Sequence, residues 1–210
     1  MDSLPPTCPS RREVTDHFVT AVVQASAPLG LTGGGLVALD GRAGAGKTTL
    51  AADIAAHLGG PRGAAIVHGD DFLRPMSWQA RLTLGAQEGY QSLFDVDRLQ
   101  RQVLSPLRGG RPARYRRYDP DTNSTPEHST VEIEPGRLVI VEGVFVARPE
   151  LAALYELTVF LDTPPDLCRT RLHARGQSPE RLAWLACWQA IEEHYVTTTL
   201  PHNRVDLVLR

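Results

Sequence analysis

Lysine is almost absent from this chain. Of its 22 lysine and arginine side chains one is lysine, Lys47, and the other 21 are arginine. That scarcity excludes a GTP switch that reads guanine through an Asn/Thr-Lys-x-Asp motif, because Lys47 lies in a different pattern. A strong charge of either sign is also lacking. The 24 acidic residues against 22 basic ones leave a net charge of -2, which argues against a general nucleic-acid coat. No apolar run reaches the roughly 18–20 residues of a membrane span. The opening MDSLPPTCPSRREV has no apolar core, so it does not read as a secretion signal. Cysteine is scarce too: Cys8, Cys168 and Cys187 show no metal-type spacing, and their odd number fits a reduced interior. The expectation is a cytoplasmic protein with one domain over residues 1–210 and a core of ordinary size.

What is present is an alternation of apolar strands and amphipathic helices. Ser10 and Glu13 make an S-x-x-E capping pattern, and Val14, Phe18, Val22 and Ala25 follow at helical spacing. Residues 27–35 carry four glycines and a proline and read as loop, so 1–34 forms an N-terminal helix and loop. Short apolar segments at 35–40, 137–143, 155–162 and 204–210 read as strands, as does AAIVHGDD at 64–71, which leads into two acids. Between them Leu50, Ile54 and Leu58 mark a helix face that Gly59-Gly60-Pro61 stops. Residues 76–107 read as mainly helical, 111–118 as extended and 122–130 as loop. Residues 178–196 read as a helix with Ser178 as cap and Pro179 at its first position. Trp78, Trp184 and Trp188 read as core or interface residues. This order implies an α/β fold with a five-stranded, mainly parallel sheet flanked by helices.

Lys47 belongs to Gly41-Arg42-Ala43-Gly44-Ala45-Gly46-Lys47-Thr48, a full G-x-x-x-x-G-K-[ST] pattern. Glycines let successive N–H groups turn inward on phosphate oxygens, and the following helix adds its positive end. Lysine supplies a compact charge on a flexible stem, where the planar fork of arginine is bulkier and differently directed. Thr48 offers a hydroxyl to Mg²⁺, and Thr49 closes the nucleotide-binding stretch. The bland alternative, a glycine-rich turn with an incidental lysine, does not account for its place between a buried strand and an amphipathic helix. The short chain favours a small-molecule kinase over a nucleic-acid motor.

Carboxylates stand at the strand ends. Asp70 is placed to accept the proton of an attacking hydroxyl and to help hold the metal, with Asp71 the weaker candidate for that role. The alternative for either is a helix N-cap. Glu142 ends an apolar strand and reads as a Mg²⁺ contact or as a solvated strand end. Arg169, Arg171 and Arg175 lie in a segment at about 166–178 that reads as a lid over the phosphates, or as a basic helix face. Five arginines and two tyrosines fall between Arg108 and Asp119. They offer base stacking, a solvated hairpin or an acceptor site, and the neutral chain disfavours the first.

Taken in order over residues 36–209, these features resemble the uridine kinase branch of the P-loop kinases, which includes phosphoribulokinase and pantothenate kinase. The matching stretches are the cradle Gly41–Thr48, DDF at 70–72, LFDVDRL at 93–99 and YD at 118–119. They continue with VEGVF at 141–145, VFLDT at 159–163 and the closing RVDLVL. The resemblance implies a P-loop NTPase fold, ATP and Mg²⁺ as cofactors, and γ-phosphate transfer to a small-molecule alcohol. It implies Asp70 as base, Glu142 near the metal and at the substrate, and Arg114, Arg117 and Tyr118 as acceptor-site residues. No nucleic-acid or membrane partner is expected. Two stretches depart from uridine kinases. EGYQSLFD lacks the aspartate that grips ribose hydroxyls, and Asn123 and Thr125 stand where a base-contacting histidine and an arginine are found. Other readings are a vitamin-precursor, sugar or secondary-metabolite acceptor, or a regulatory ATPase that transfers nothing.

Overall fold

A computed structural model of the chain describes residues 11–26, 34–175, 178–199 and 201–210. The expected cap Ser10, residue Cys8 and most of the loop at 27–35 lie outside the described residues, as do residues 176 and 177 of the lid segment. In chain order the elements are α1 (Arg11–Ser26), β1 (Gly35–Gly41), α2 (Lys47–His57), β2 (Ala64–His68), α3 (Trp78–Thr83) and α4 (Ala86–Ser92). Then come α5 (Val96–Leu99), α6 (Ser105–Arg108), β3 (Ala113–Arg116), β4 (Thr130–Ile133), β5 (Leu138–Gly143) and α7 (Pro149–Ala152). The chain closes through β6 (Leu157–Leu161), α8 (Pro165–His173), α9 (Pro179–Thr199) and β7 (Leu207–Leu209).

The main sheet has five parallel strands in the order β2-β5-β1-β6-β7. Alternate residues of a strand face opposite sides, so β1 feeds two cores. Val37 and Leu39 pack with Val19 and Val22 of α1 and with Leu50 and Ile54 of α2. Leu36 and Ala38 pack with Phe72, Phe145, Trp188 and Tyr195 on the other side. Burial of one such large apolar side chain contributes about 1.5–3 kcal/mol. Helix α9 lies close against α4, where a Cβ on Gly89 would stand 2.3 Å from the Ile191 side chain.

Asp70 and Asp71 lie just past the second strand, as expected: β2 ends at His68, and Gly69–Phe72 forms a 3-10 turn that carries both acids. Two local features differ from the sequence reading. Residues 130–133 are a strand, paired antiparallel with β3 so that Tyr115 faces Val131 and Arg114 faces Glu132. The helical stretch 76–107 is broken into short pieces: Ser77 caps α3, Asp95 caps α5, and Gln100–Leu104 is a π-helical turn. Among the described residues no helix is long and apolar enough to cross a membrane.

Candidate active site

The parallel register sets the site at the carboxyl edge of the sheet, where ligands of open α/β sheets bind. Leu39 pairs with Glu142 and Glu142 with His68, so the ends of β1, β5 and β2 lie side by side. The chain leaves β1 through Gly41 and turns at Gly44, whose φ of +79° suits glycine. A Cβ there would also lie 2.6 Å from the Cys168 carbonyl oxygen, which is how closely α8 approaches the turn. Gly46, with φ +109°, starts α2 without a side-chain cap, leaving the first amides of that helix for a ligand. Lys47 is 7% exposed, and its ammonium donates to the carbonyl oxygens of Gly41 and Arg42 at 2.9 Å each. Thr48 and Thr49 are exposed at the mouth.

The acids beside this loop have separate surroundings. Thr48 donates its hydroxyl to Glu142 Oε1 at 3.1 Å, and His68 Nδ1 lies 2.7 Å from the same oxygen. That hydrogen bond raises the His68 pKa above its ordinary value, against the opposing effect of burial. Asp70 accepts no side-chain hydrogen bond among the described residues and is open to solvent at the cleft. The protein mass around it pushes its pKa up, and the positive charge of Lys47 pulls it down. Its own solvent contact tempers the burial effect. Glu142, His68 and Arg175 also act on it electrostatically. Asp71 is buried. Its Oδ2 accepts from the Tyr115 hydroxyl at 3.2 Å and lies 3.7 Å from Arg117 Nε. Its backbone oxygen accepts from Tyr118 N–H at 3.0 Å and from Arg98. Burial raises its pKa, with Arg117 opposing.

The expected arginines divide by position. Arg171 donates to the carbonyls of Gly44 and Ala45 at 3.2 and 3.0 Å, against the outside of the phosphate loop. Arg169 is paired with Asp166 and lines a separate cavity of about 370 Å³ with Arg42, Cys168 and Gln189. Arg117 reaches Asp71, whereas Arg114 is paired with Glu132 at 3.1 Å on the exposed face of the hairpin. Strand alternation accounts for this, since Ala113 and Tyr115 take the buried side. Tyr118 is bound up with Arg81 and with Asn123, whose Oδ1 lies 2.9 Å from the hydroxyl.

Several neighbours of the site had no motif to mark them. Asp40, fully buried at the end of β1, accepts from Gly41 N–H at 2.6 Å, Ala147 N–H at 2.8 Å and the Tyr195 hydroxyl at 2.8 Å. Glu192 of α9 accepts from Ala43 N–H at 2.7 Å. Burial raises the pKa of both carboxyls. The terminal acid of strand 35–40 was a visible signal for Asp40, and nothing local pointed to Glu192.

Comparisons with known proteins agree with this fold. The description of the phosphoribulokinase/uridine kinase family matches residues 36–183. A uridine kinase of Macrococcus caseolyticus is 27% identical over 180 residues, 80% of each chain. Another from Staphylococcus haemolyticus is 29% identical over 136 residues, 63% of each. Among solved structures, a possible uridine kinase from Bacillus stearothermophilus superimposes with a TM-score of 0.72 at 23% identity, covering 95% of this chain and 98% of that one. A D-glycerate 3-kinase from Cryptococcus neoformans gives 0.56 at 14% identity, covering 86% and 87%. With a P-loop at the carboxyl edge of a five-stranded parallel sheet and a family match over most of its length, the chain belongs to the phosphoribulokinase/uridine kinase family.

Proposed function

We propose that the chain is an ATP- and Mg²⁺-dependent kinase acting in the cytoplasm, transferring the γ-phosphoryl group to a hydroxyl of a small molecule, with uridine-type nucleosides the first candidates. The observation that carries this reading is that Lys47, the Thr48–Glu142 pair and the exposed Asp70 carboxylate lie at the adjacent carboxyl ends of β1, β5 and β2. The donor set suits the metal. One hydroxyl and two carboxylates are hard oxygen ligands, and Mg²⁺ usually takes one or two carboxylates and completes its shell with phosphate and water. When bound, it supplies charge neutralisation on the phosphates. His68 holds Glu142 in orientation through their 2.7 Å contact.

In this scheme Lys47 exchanges the carbonyls of Gly41 and Arg42 for β- and γ-phosphate oxygens. Asp70 takes the proton of the acceptor hydroxyl as that oxygen bonds to the γ-phosphorus. The bond from that phosphorus to the β–γ bridging oxygen breaks, and ADP leaves. Arg175 adds positive charge at the transferring group; Arg171 joins it only on leaving the carbonyls of Gly44 and Ala45, and Arg169 only on releasing Asp166. On the acceptor side, Arg117 and Asp71 form the polar wall.

One observation favours a non-nucleoside alcohol as the second reading. Asn123 Oδ1 accepts from Met76 N–H at 3.0 Å, from the Tyr118 hydroxyl at 2.9 Å and from Arg81 at 3.3 Å. That oxygen and that hydroxyl are already satisfied and have little capacity left to read a base edge. The fold does not choose between acceptors. The deciding experiment is ADP release from Mg-ATP with uridine, cytidine, sugars, pantothenate and other hydroxylated metabolites. Stimulation by uridine or cytidine supports the first reading, and stimulation by another alcohol alone supports the second. Steady turnover with no acceptor dependence refutes transfer and leaves a regulatory ATPase.

A further inference from the structure

Within the phosphate loop the Arg42–Ala43 peptide is gripped at both ends. Its carbonyl oxygen accepts from the Lys47 ammonium at 2.9 Å and from Ala45 N–H at 3.1 Å. Its N–H donates to Glu192 Oε1 at 2.7 Å. Glu192 stands on α9, 3% exposed, and the same oxygen accepts from the Trp188 indole N–H at 2.6 Å one turn earlier. The next residue, Glu193, pairs with the Arg42 guanidinium at 2.8 Å. One turn further along, the Tyr195 hydroxyl holds Asp40, which accepts from Gly41 N–H. One face of α9 thus fixes the loop at both Gly41 and Ala43.

A buried carboxylate persists where hydrogen-bond donors meet it, and bonds to a charged acceptor are about twice as strong as neutral ones. Rotation of the Arg42–Ala43 peptide would exchange its N–H for its carbonyl and remove one of the two oxygens that hold Lys47. We propose that Glu192 is a positioning residue for the nucleotide. Acting through this peptide, it sets the first turn of the loop and keeps Lys47 where the β- and γ-phosphates will meet it. The inference rests on the reading of this loop as the nucleotide site.

The test is the affinity for Mg-ADP, by titration calorimetry, of the wild-type protein and of Glu192→Ala, Glu192→Asp and Glu192→Gln. No acceptor is needed. Glutamine keeps an oxygen at the Oε1 position, whereas alanine and aspartate do not reach Ala43. Loss of a hydrogen bond to a charged acceptor predicts roughly tenfold or greater weakening for Ala and Asp, with Gln, whose neutral bond is about half as strong, roughly threefold weaker than wild type. Unchanged affinity in Ala and Asp would overturn the proposal. So would a Gln variant as weak as Ala, since charge rather than the bond would then matter. Failure of the wild-type protein to bind Mg-ADP would refute the nucleotide-site reading itself, a result separate from any variant. A second measurement needs no variant: the Ala43 amide of the wild-type protein is expected to exchange slowly with solvent deuterium, and fast exchange there would overturn the proposal.

Discussion

Two adjacent acids, Asp70 and Asp71, are expected to fail in opposite ways when each is replaced by alanine. Asp70 faces the cleft with no side-chain hydrogen bond to lose, so Asp70→Ala should change stability by no more than about 0.5 kcal/mol. As the proposed base it should lower kcat by roughly 10²–10⁴-fold. Asp71→Ala removes the acceptor of the buried Tyr115 hydroxyl, and an orphaned buried hydroxyl costs about 1–3 kcal/mol. Its pairing with Arg117 adds little, about 0–1 kcal/mol, because the arginine is half exposed at 3.7 Å. Relief of the charge burial that raises the Asp71 pKa works the other way. The net is about 1–3 kcal/mol, which at about 2–4 °C per kcal/mol lowers Tm by roughly 2–12 °C. Thermal unfolding of both variants, with acceptor-dependent ADP release for the kinetic part, makes the comparison. The reasoning is refuted if Asp70→Ala melts as low as Asp71→Ala, or if Asp71→Ala loses turnover as completely as Asp70→Ala while keeping its Tm.

Other outcomes follow from the same geometry. Gly44→Ala combines a left-handed backbone with a Cβ 2.6 Å from the Cys168 carbonyl, so Mg-ADP binding should weaken markedly in calorimetry. Full affinity would contradict the described turn. Thr48→Val keeps the shape and removes the hydroxyl, and should weaken Mg-ATP more than metal-free ATP when both are titrated with and without EDTA. Equal weakening of both would argue against a metal role for Thr48. Burial raises the folded pKa of Glu192 above its unfolded value. Its ionisation therefore disfavours the folded state, and the stability it contributes is complete below the unfolded pKa of about 4.3 and lost as pH rises through the folded one. Glu192→Gln escapes that loss, so its Tm minus the wild-type Tm should increase from pH 4 upward. A flat or falling difference would refute the shift.

Much of this protein is written in short stretches of its sequence. The loop Gly41–Thr48 combines conformational freedom, a compact charge and a hydroxyl within eight positions, and each works through its nearest neighbours in the chain. The strands β1, β5 and β6 are apolar apart from Asp40, Glu142 and Thr158 because both faces are covered, and that pattern is visible without their partners. Strand β4 was not legible as a strand: it gains its role only by pairing with β3. The separation of Asp70 from Asp71 is equally non-local, since it depends on which of the two the β3 residue Tyr115 reaches. Arg117 and Arg114 were alike on paper, and hairpin alternation sends one to Asp71 and the other to Glu132. The longest-range decisions belong to α9, where Glu192 meets Ala43 across 149 positions and Tyr195 meets Asp40 across 155. Local sequence determines which elements form and where the phosphate loop lies. Only sheet order and helix packing determine which carboxylates stay open to a substrate and which are spent holding the loop, because hydrogen-bond partners this distant meet through the fold alone.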